Sequence, residues 1–321
     1  MSMTKADRAL VAATMVSLNL GELFLYVPLA ARHRGMKKEL NLRYADGKRT
    51  ELDIVFAEDG KDVKKPLFVY IHGGGFVSGD RKSRRYYCYN WAESGFLCAN
   101  IGYDYALDAA HPKSLAQIFK GIEFAMNRAD ELNIDTGKVV VAGDSAGGYY
   151  AAFVAAVASH PELYDTLGID FAYRDTFKVS ACVLLSGLYD MARSLDTRFP
   201  QMTIFLRSHL DLSKKEVYAL RGDEKMRAFS APDYYVDGNF PPCFVVASAY
   251  DLLRSESERL RDELEKAGVK NGFYMCKGVN GVHAGSLACD RFKHGRECLR
   301  LAKEFVASVL ADEPSNAAQP D

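Results

Sequence analysis

Four separated stretches of the chain carry residue types suited to nucleophilic chemistry. In "VVVAGDSAGGYYAAF" at 139–153, Ser145 stands between Gly143 and Gly147 in a G-x-S-x-G spacing, after an apolar run and before an alanine-rich one. Glycines on both sides permit a strand-to-helix turn tight enough to push the hydroxyl outward. A serine hydroxyl stays a weak nucleophile until a base takes its proton, and the base needs a third group to fix its tautomer. Of the four histidines after Ser145, His160 closes the alanine-rich stretch, His209 falls in a long insertion and His294 opens the last helical stretch. His283 lies in the glycine-rich loop "CKGVNGVHAGS" after the last apolar run, which makes it the candidate base, with His294 as the alternative. Asp251 closes the apolar run of "VVASAYDLLRSE" and so puts a carboxylate at the carboxyl edge of a sheet, where Ser145 also emerges. The same aspartate can instead cap the helix that follows.

The fourth stretch, "YIHGGGFVSGD", sets His72-Gly73-Gly74-Gly75 after another apolar run. Side-chain-free residues there let backbone N–H groups approach a developing oxyanion, joined by the N–H of Ala146. A dinucleotide fingerprint fails because its last glycine would fall at Ser78, and a phosphate loop fails because Asp80 follows Gly79. Tyr149 and Tyr150, directly after the serine motif, either pack the helix or border a pocket.

Such groups need a scaffold of strand ends. "ELNLRYA" and "TELDIVFA" alternate around "DGK" and predict an antiparallel hairpin at a sheet edge. The later runs "PLFVYIH", "FLCANIGY", "KVVVAGD", "KVSACVLLSG" and "PPCFVVASAY" are apolar throughout, as strands covered on both faces are. Between them "SLAQIFKGIEFAMNRADEL" and "SESERLRDELEKAG" have helical period, the second ending at Gly268. Residues 190–235 interrupt this rhythm as an insertion of lid-like length. "ECLRLAKEFVASVLADE" predicts a last helix, and "PSNAAQPD" reads as a disordered polar tail.

The 321 residues carry a net charge of −1, which excludes the basic field that gathers nucleic acid. Seven cysteines without a CxxC pair, mostly inside apolar runs, read as buried free thiols of a reducing compartment. "ALVAATMVSLNLGELFLYVPLAA" at 9–31 is the one membrane-like stretch, yet Glu22 and Asn19 lie near its middle. A central carboxylate there costs roughly 2.5–3.5 kcal/mol on insertion. An amphipathic helix packed on the protein is the expectation, ahead of membrane-surface binding and of a cleaved signal peptide.

Together "HGGGF" at 72–76, "GDSAGG" at 143–148, the stretch around Asp251 and the histidine loop resemble the hormone-sensitive-lipase-like family of α/β-hydrolases. The resemblance spans roughly residues 50–310. It implies an α/β-hydrolase fold, with a mostly parallel central sheet flanked by helices and a helical cap. It also implies Ser145 as nucleophile, His283 as base, Asp251 as its orienter, and the N–H groups of Gly74, Gly75 and Ala146 as the oxyanion hole. His72, Gly73 and Asp144 are then supporting residues, with His72 shaping the glycine turn. The chain departs from the family at "YDYALDAAHP", at "DLLRSE" and at the small residue after His283, so the resemblance implies no particular substrate. The expected division is a cap segment at 1–38, core at 39–189 and 236–311, a cap insertion at 190–235, and the tail at 312–321. The expected activity is that of a cytoplasmic serine carboxylesterase on small, short-chain acyl esters, without metal or organic cofactor. Amide or peptide cleavage by the same residues, and ligand binding without catalysis, are the alternatives. The expected partner is a small-molecule ester, with no nucleic acid and no stable membrane insertion; a homo-oligomer is compatible with the sequence.

Overall fold

The computed structural model describes residues 4–13, 35–58 and 63–312. Residues 14–34, which hold most of the apolar N-terminal stretch, and residues 313–321 of the expected tail lie outside the described residues.

One sheet of 8 strands runs through the molecule in the order β1-β2-β4-β3-β5-β6-β7-β8. Its strands are β1 (Met36–Arg43), β2 (Glu51–Ala57), β3 (Lys65–Ile71), β4 (Leu97–Ile101), β5 (Ile134–Asp144), β6 (Ala181–Leu185), β7 (Cys243–Ser248) and β8 (Asn271–Cys276). β2 pairs antiparallel with both β1 and β4, and every other pair is parallel. The expected hairpin therefore forms the sheet edge. It begins at Met36, so Met36, Lys37 and Lys38 belong to the sheet and not to a preceding segment.

The period of two sorts each central strand onto two apolar layers. Leu67, Val69, Ile71, Val139 and Val141 face one core, while Phe68, Tyr70, Val140 and Ala142 face the other. The helices are α1 at residues 5–13, α2 (Arg81–Ala92), α3 (Lys113–Met126), α4 (Ala129–Leu132), α5 (Ala146–Ser159), α6 (Glu162–Thr166), α7 (Met191–Ser194), α8 (Met202–Leu210), α9 (Lys214–Ala219), α10 (Glu224–Ser230), α11 (Arg254–Lys266) and α12 (Lys293–Asp312). Trp91 of α2 and Leu299 and Val306 of α12 cover the second layer, whereas α3, α5 and α11 cover the first. The helical stretch expected at 114–132 is broken: α3 stops at Met126, and Arg128 leaves the helical line to pair with Glu39 of β1 at 2.9 Å. α12 continues to Asp312, one position beyond the expected end of the core.

α7, α8, α9 and α10 all lie in the insertion between β6 and β7. α1 packs there too. Its Val11 is buried and its Asp7 holds Arg207 of α8 at 2.7 and 2.8 Å, while Leu10 is exposed. Thr4 closes the start of α1 through reciprocal bonds with Asp7. Among the described residues no helix is long and apolar enough to cross a membrane.

The chain leaves β3 toward β4 on one side and returns to β5 on the other. That reversal makes the carboxyl ends of β3 and β5, in register at Ile71 and Gly143, a switch point where a crevice opens.

Candidate active site

Ser145 occupies the link between β5 and α5 with φ 53° and ψ −120°, a backbone conformation that non-glycine residues rarely adopt. Its N–H donates to the Leu185 carbonyl of β6 at 2.9 Å, so the turn is tied to the neighbouring strand. The glycine at 147 is required by close approach: a Cβ there would strike the Ile71 carbonyl oxygen of β3.

His283 arrives from the loop after β8, between short 3-10 turns at Gly278–Gly281 and Gly285–Leu287. Buried Asn280 braces this loop by donating to the Gly285 carbonyl at 2.8 Å and accepting from the Gly295 N–H of α12 at 3.1 Å. The imidazole Nε2 lies 2.9 Å from Ser145 Oγ, and Nδ1 lies 2.8 Å from Asp251 Oδ2. An ionised carboxylate only accepts, so Nδ1 carries the proton and Nε2 is left to accept from the serine. Asp251 itself is held by its other oxygen, which accepts the Leu253 N–H at 2.9 Å. It sits in the turn before α11, not at that helix's cap, which is Leu253.

The glycine turn after β3 faces this chain of bonds. Gly74 and Gly75 have φ +129° and +61°, in the region that favours glycine, and neither N–H has an acceptor among the described residues. The Ala146 N–H begins α5 and has no partner within the helix. His72 stacks on Tyr103 with centroids 4.4 Å apart, and Tyr103 donates to the His72 carbonyl at 2.7 Å, which shapes the turn from below.

Asp144 locks turn and elbow together. Its carboxylate accepts from Arg84 Nε at 3.0 Å and Nη2 at 2.9 Å, from Tyr70 at 2.8 Å and from the Gly73 N–H at 3.1 Å. Burial acts to raise its pKa, but the Arg84 charge and these bonds outweigh burial and hold the carboxyl below the usual range.

The remaining sequence candidates have other partners. His160 faces Asp237 at 3.4 Å and His294 bonds Tyr274 at 2.8 Å. Fully buried His209 of α8 stacks on Phe76 at 4.0 Å, and burial pushes its pKa well down. Tyr149 and Tyr150 belong to this packing: both rings meet Phe76 edge to face, and the Tyr150 hydroxyl bonds Ser114 at 2.7 Å. Arg84, Tyr70, Asn280 and the insertion's phenylalanines Phe199 and Phe205 were not legible in the sequence. Arg84 sits among Arg81 and Arg85, which pair with Glu51 and Asp53 of β2, and no local spacing sets it apart.

A serine, histidine and aspartate joined in this order at the switch point of such a sheet, beside a glycine turn with free N–H groups, define an α/β-hydrolase. Comparison with known proteins gives the same class: residues 68–284 match the family described as alpha/beta hydrolase fold, and the chain belongs to that family, in its hormone-sensitive-lipase-like branch. It is a hydrolase. It is similar to esterase LipC of Mycobacterium tuberculosis, at 27% identity over 86% of this chain and 70% of that one. Among solved structures it is similar to esterase B of Lactobacillus rhamnosis, with TM-score 0.81 and 19% identity over 96% of this chain and 98% of that one. A bacterial heroin esterase aligns with TM-score 0.70 and 21% identity over 94% and 93% of the two chains.

Proposed function

We propose that this hydrolase is a serine carboxylesterase acting on small, short-chain acyl esters through an acyl-enzyme. The observation that carries the reading is the unbroken chain from Asp251 through His283 to Ser145, with links of 2.8 and 2.9 Å. In this reading Ser145 Oγ bonds to the ester carbonyl carbon while its proton passes to His283 Nε2. The carbonyl oxygen becomes an anion held by the N–H groups of Gly74, Gly75 and Ala146. The bond from carbon to the alcohol oxygen then breaks, and His283 returns the proton to the departing alcohol. Water, deprotonated by His283, attacks the acyl-serine; the bond to Ser145 Oγ breaks as His283 returns the proton to that oxygen, and the acid is released. Asp251 steadies the imidazolium in both halves, and His72, Gly73 and Asp144 hold the turn and elbow in register. No metal or organic cofactor has a part in these steps.

Similarity to esterases supports ester cleavage, and esterase B has been solved with a C4-C4 tributyrin phosphonate inhibitor, which favours a small acyl group. The helices of 190–235, with α1 held against them by the Asp7–Arg207 pair, serve as a cap over the crevice. Seven free, buried cysteines favour a cytoplasmic setting. The test is Ser145→Ala with p-nitrophenyl acetate and a fluorophosphonate probe. Turnover should fall by up to ~10⁶ and labelling should vanish. Retention of wild-type hydrolysis would end the assignment.

A further inference from the structure

Two phenylalanines from the insertion reach the groups around the candidate nucleophile, one at the glycine turn and one at the base. Phe205 of α8 lies against Gly75 of the glycine turn, so closely that a Cβ on Gly75 would come within 2.9 Å of its ring. Phe199 comes from the turn before α8 and meets the imidazole of His283 edge to face, with centroids 5.0 Å apart and planes at 61°. The turn is built to present that ring. Arg198 and Gln201, on either side of Phe199-Pro200, both take left-handed backbone, with φ 55° and 62°. Non-glycine residues hold this conformation only where their surroundings impose it. Thr197 anchors the near side, donating to the Ser194 carbonyl at 2.7 Å and accepting the Phe199 N–H at 3.4 Å.

The two sides of the serine differ in what a substrate puts there. His283 Nε2 has to return its proton to the alcohol oxygen, so that oxygen lies within hydrogen-bond reach of it and its carbon chain runs past whatever borders His283. The ring of Phe199 makes that border apolar. Besides Phe199, Val282 and Val279 of the histidine loop are 53% and 66% exposed, and the exposed Tyr250 ring rests on Gly281. The geometry points to Phe199 as the specificity-determining residue of the alcohol side, selecting esters of apolar alkyl or aryl alcohols over those of charged or polyhydric alcohols. This assignment rests on the esterase reading and deepens it.

The order of steps supplies a discriminating readout. The alcohol departs before the acyl-enzyme is hydrolysed, so contact with it acts on acylation alone. A residue that merely steadied His283 would slow both steps, because His283 moves protons in both. The experiment compares wild-type full-length protein with Phe199→Ala and Phe199→Leu on acetate esters of methanol, hexanol, benzyl alcohol, glycerol and choline. It reads kcat/KM for acylation and the hydrolysis rate of the acetyl-enzyme. With Phe199→Ala, kcat/KM should fall at least about tenfold for the hexyl and benzyl esters, hardly change for the methyl ester, and leave acetyl-enzyme hydrolysis at the wild-type rate. Phe199→Leu should show a smaller loss in the same order of alcohols, and it decides the matter if the alanine variant does not fold. Equal losses for all alcohols, matching losses in both steps, or unchanged selectivity would overturn the assignment of Phe199 while leaving the esterase intact. Wild-type protein that cleaves none of the esters and takes no fluorophosphonate label would overturn both.

Discussion

Asp144 stands immediately before the candidate nucleophile and does not bond to it, yet four donor groups from three places in the chain converge on its carboxylate. Removing a partner from a buried ion pair strands the other charge, and the loss is then far larger than the pair's net worth. Arg84→Met should therefore cost about 3–5 kcal/mol of stability in urea unfolding, although Arg84 has no part in the proposed proton transfers. A loss below about 1 kcal/mol, the range of exposed pairs, would show that water replaces the guanidinium. The serine, aspartate and histidine that the structure joins were legible in the sequence because Ser145 and Asp251 follow apolar runs, His283 sits in a glycine-rich loop after the last one, and their chain order is constrained. Arg84 and Phe199 were not. Their partners lie 60 and 84 positions away, and nothing in local composition announces a contact across such distances.

At the level of elements, the elbow is a collision avoided among β3, β5 and α5. Gly147→Ala should push α5 off the Ile71 carbonyl, lowering stability by about 1–3 kcal/mol and lowering kcat as Ser145 shifts from His283. Thermal unfolding and ester hydrolysis together check this; an alanine variant with wild-type values of both would show that the elbow has slack. The hairpin, the buried parallel strands and the helical insertion were readable from periodicity. The break between α3 and α4 was not: Arg128 at that break pairs with Glu39 of the remote strand β1, a contact that local spacing does not reveal. The sheet order likewise depends on packing of the two faces, which alternation within one strand cannot reveal.

Besides His72 at the glycine turn, the described residues bury two more histidines. Burial pushes His111 down to about 4 despite its bond to the Phe229 carbonyl, and pushes His209, 5.2 Å away ring to ring, well below its ordinary value. Unfolding lets both return toward about 6.5, so the unfolded chain binds more protons between those values and stability drops as pH falls from about 6.5 to 4. Asp233 acts in the opposite sense. Burial and the nearby Asp190 push its carboxyl up to about 7, so the folded state keeps a proton that the unfolded chain releases, and this contribution weakens as pH rises from about 4 to 7. A difference measurement isolates the histidine. The unfolding free energy of wild type relative to His111→Asn should shrink as pH falls from 6.5 to 4, by on the order of 3 kcal/mol. A difference that stays flat over that range would mean His111 is not held neutral in the fold.

All seven cysteines are free and buried, with Cys182 and Cys243 in one apolar layer and Cys88, Cys98, Cys276, Cys289 and Cys298 in the other. Burial also raises the thiol pKa of Cys88, Cys98, Cys243 and Cys289, which keeps the reactive thiolate scarce. Alkylating reagents thus meet a silent surface until part of the molecule opens, and each modified position then records which layer opened and when. The native thiols form a two-channel clock of unfolding, readable by mass spectrometry without adding a single label site.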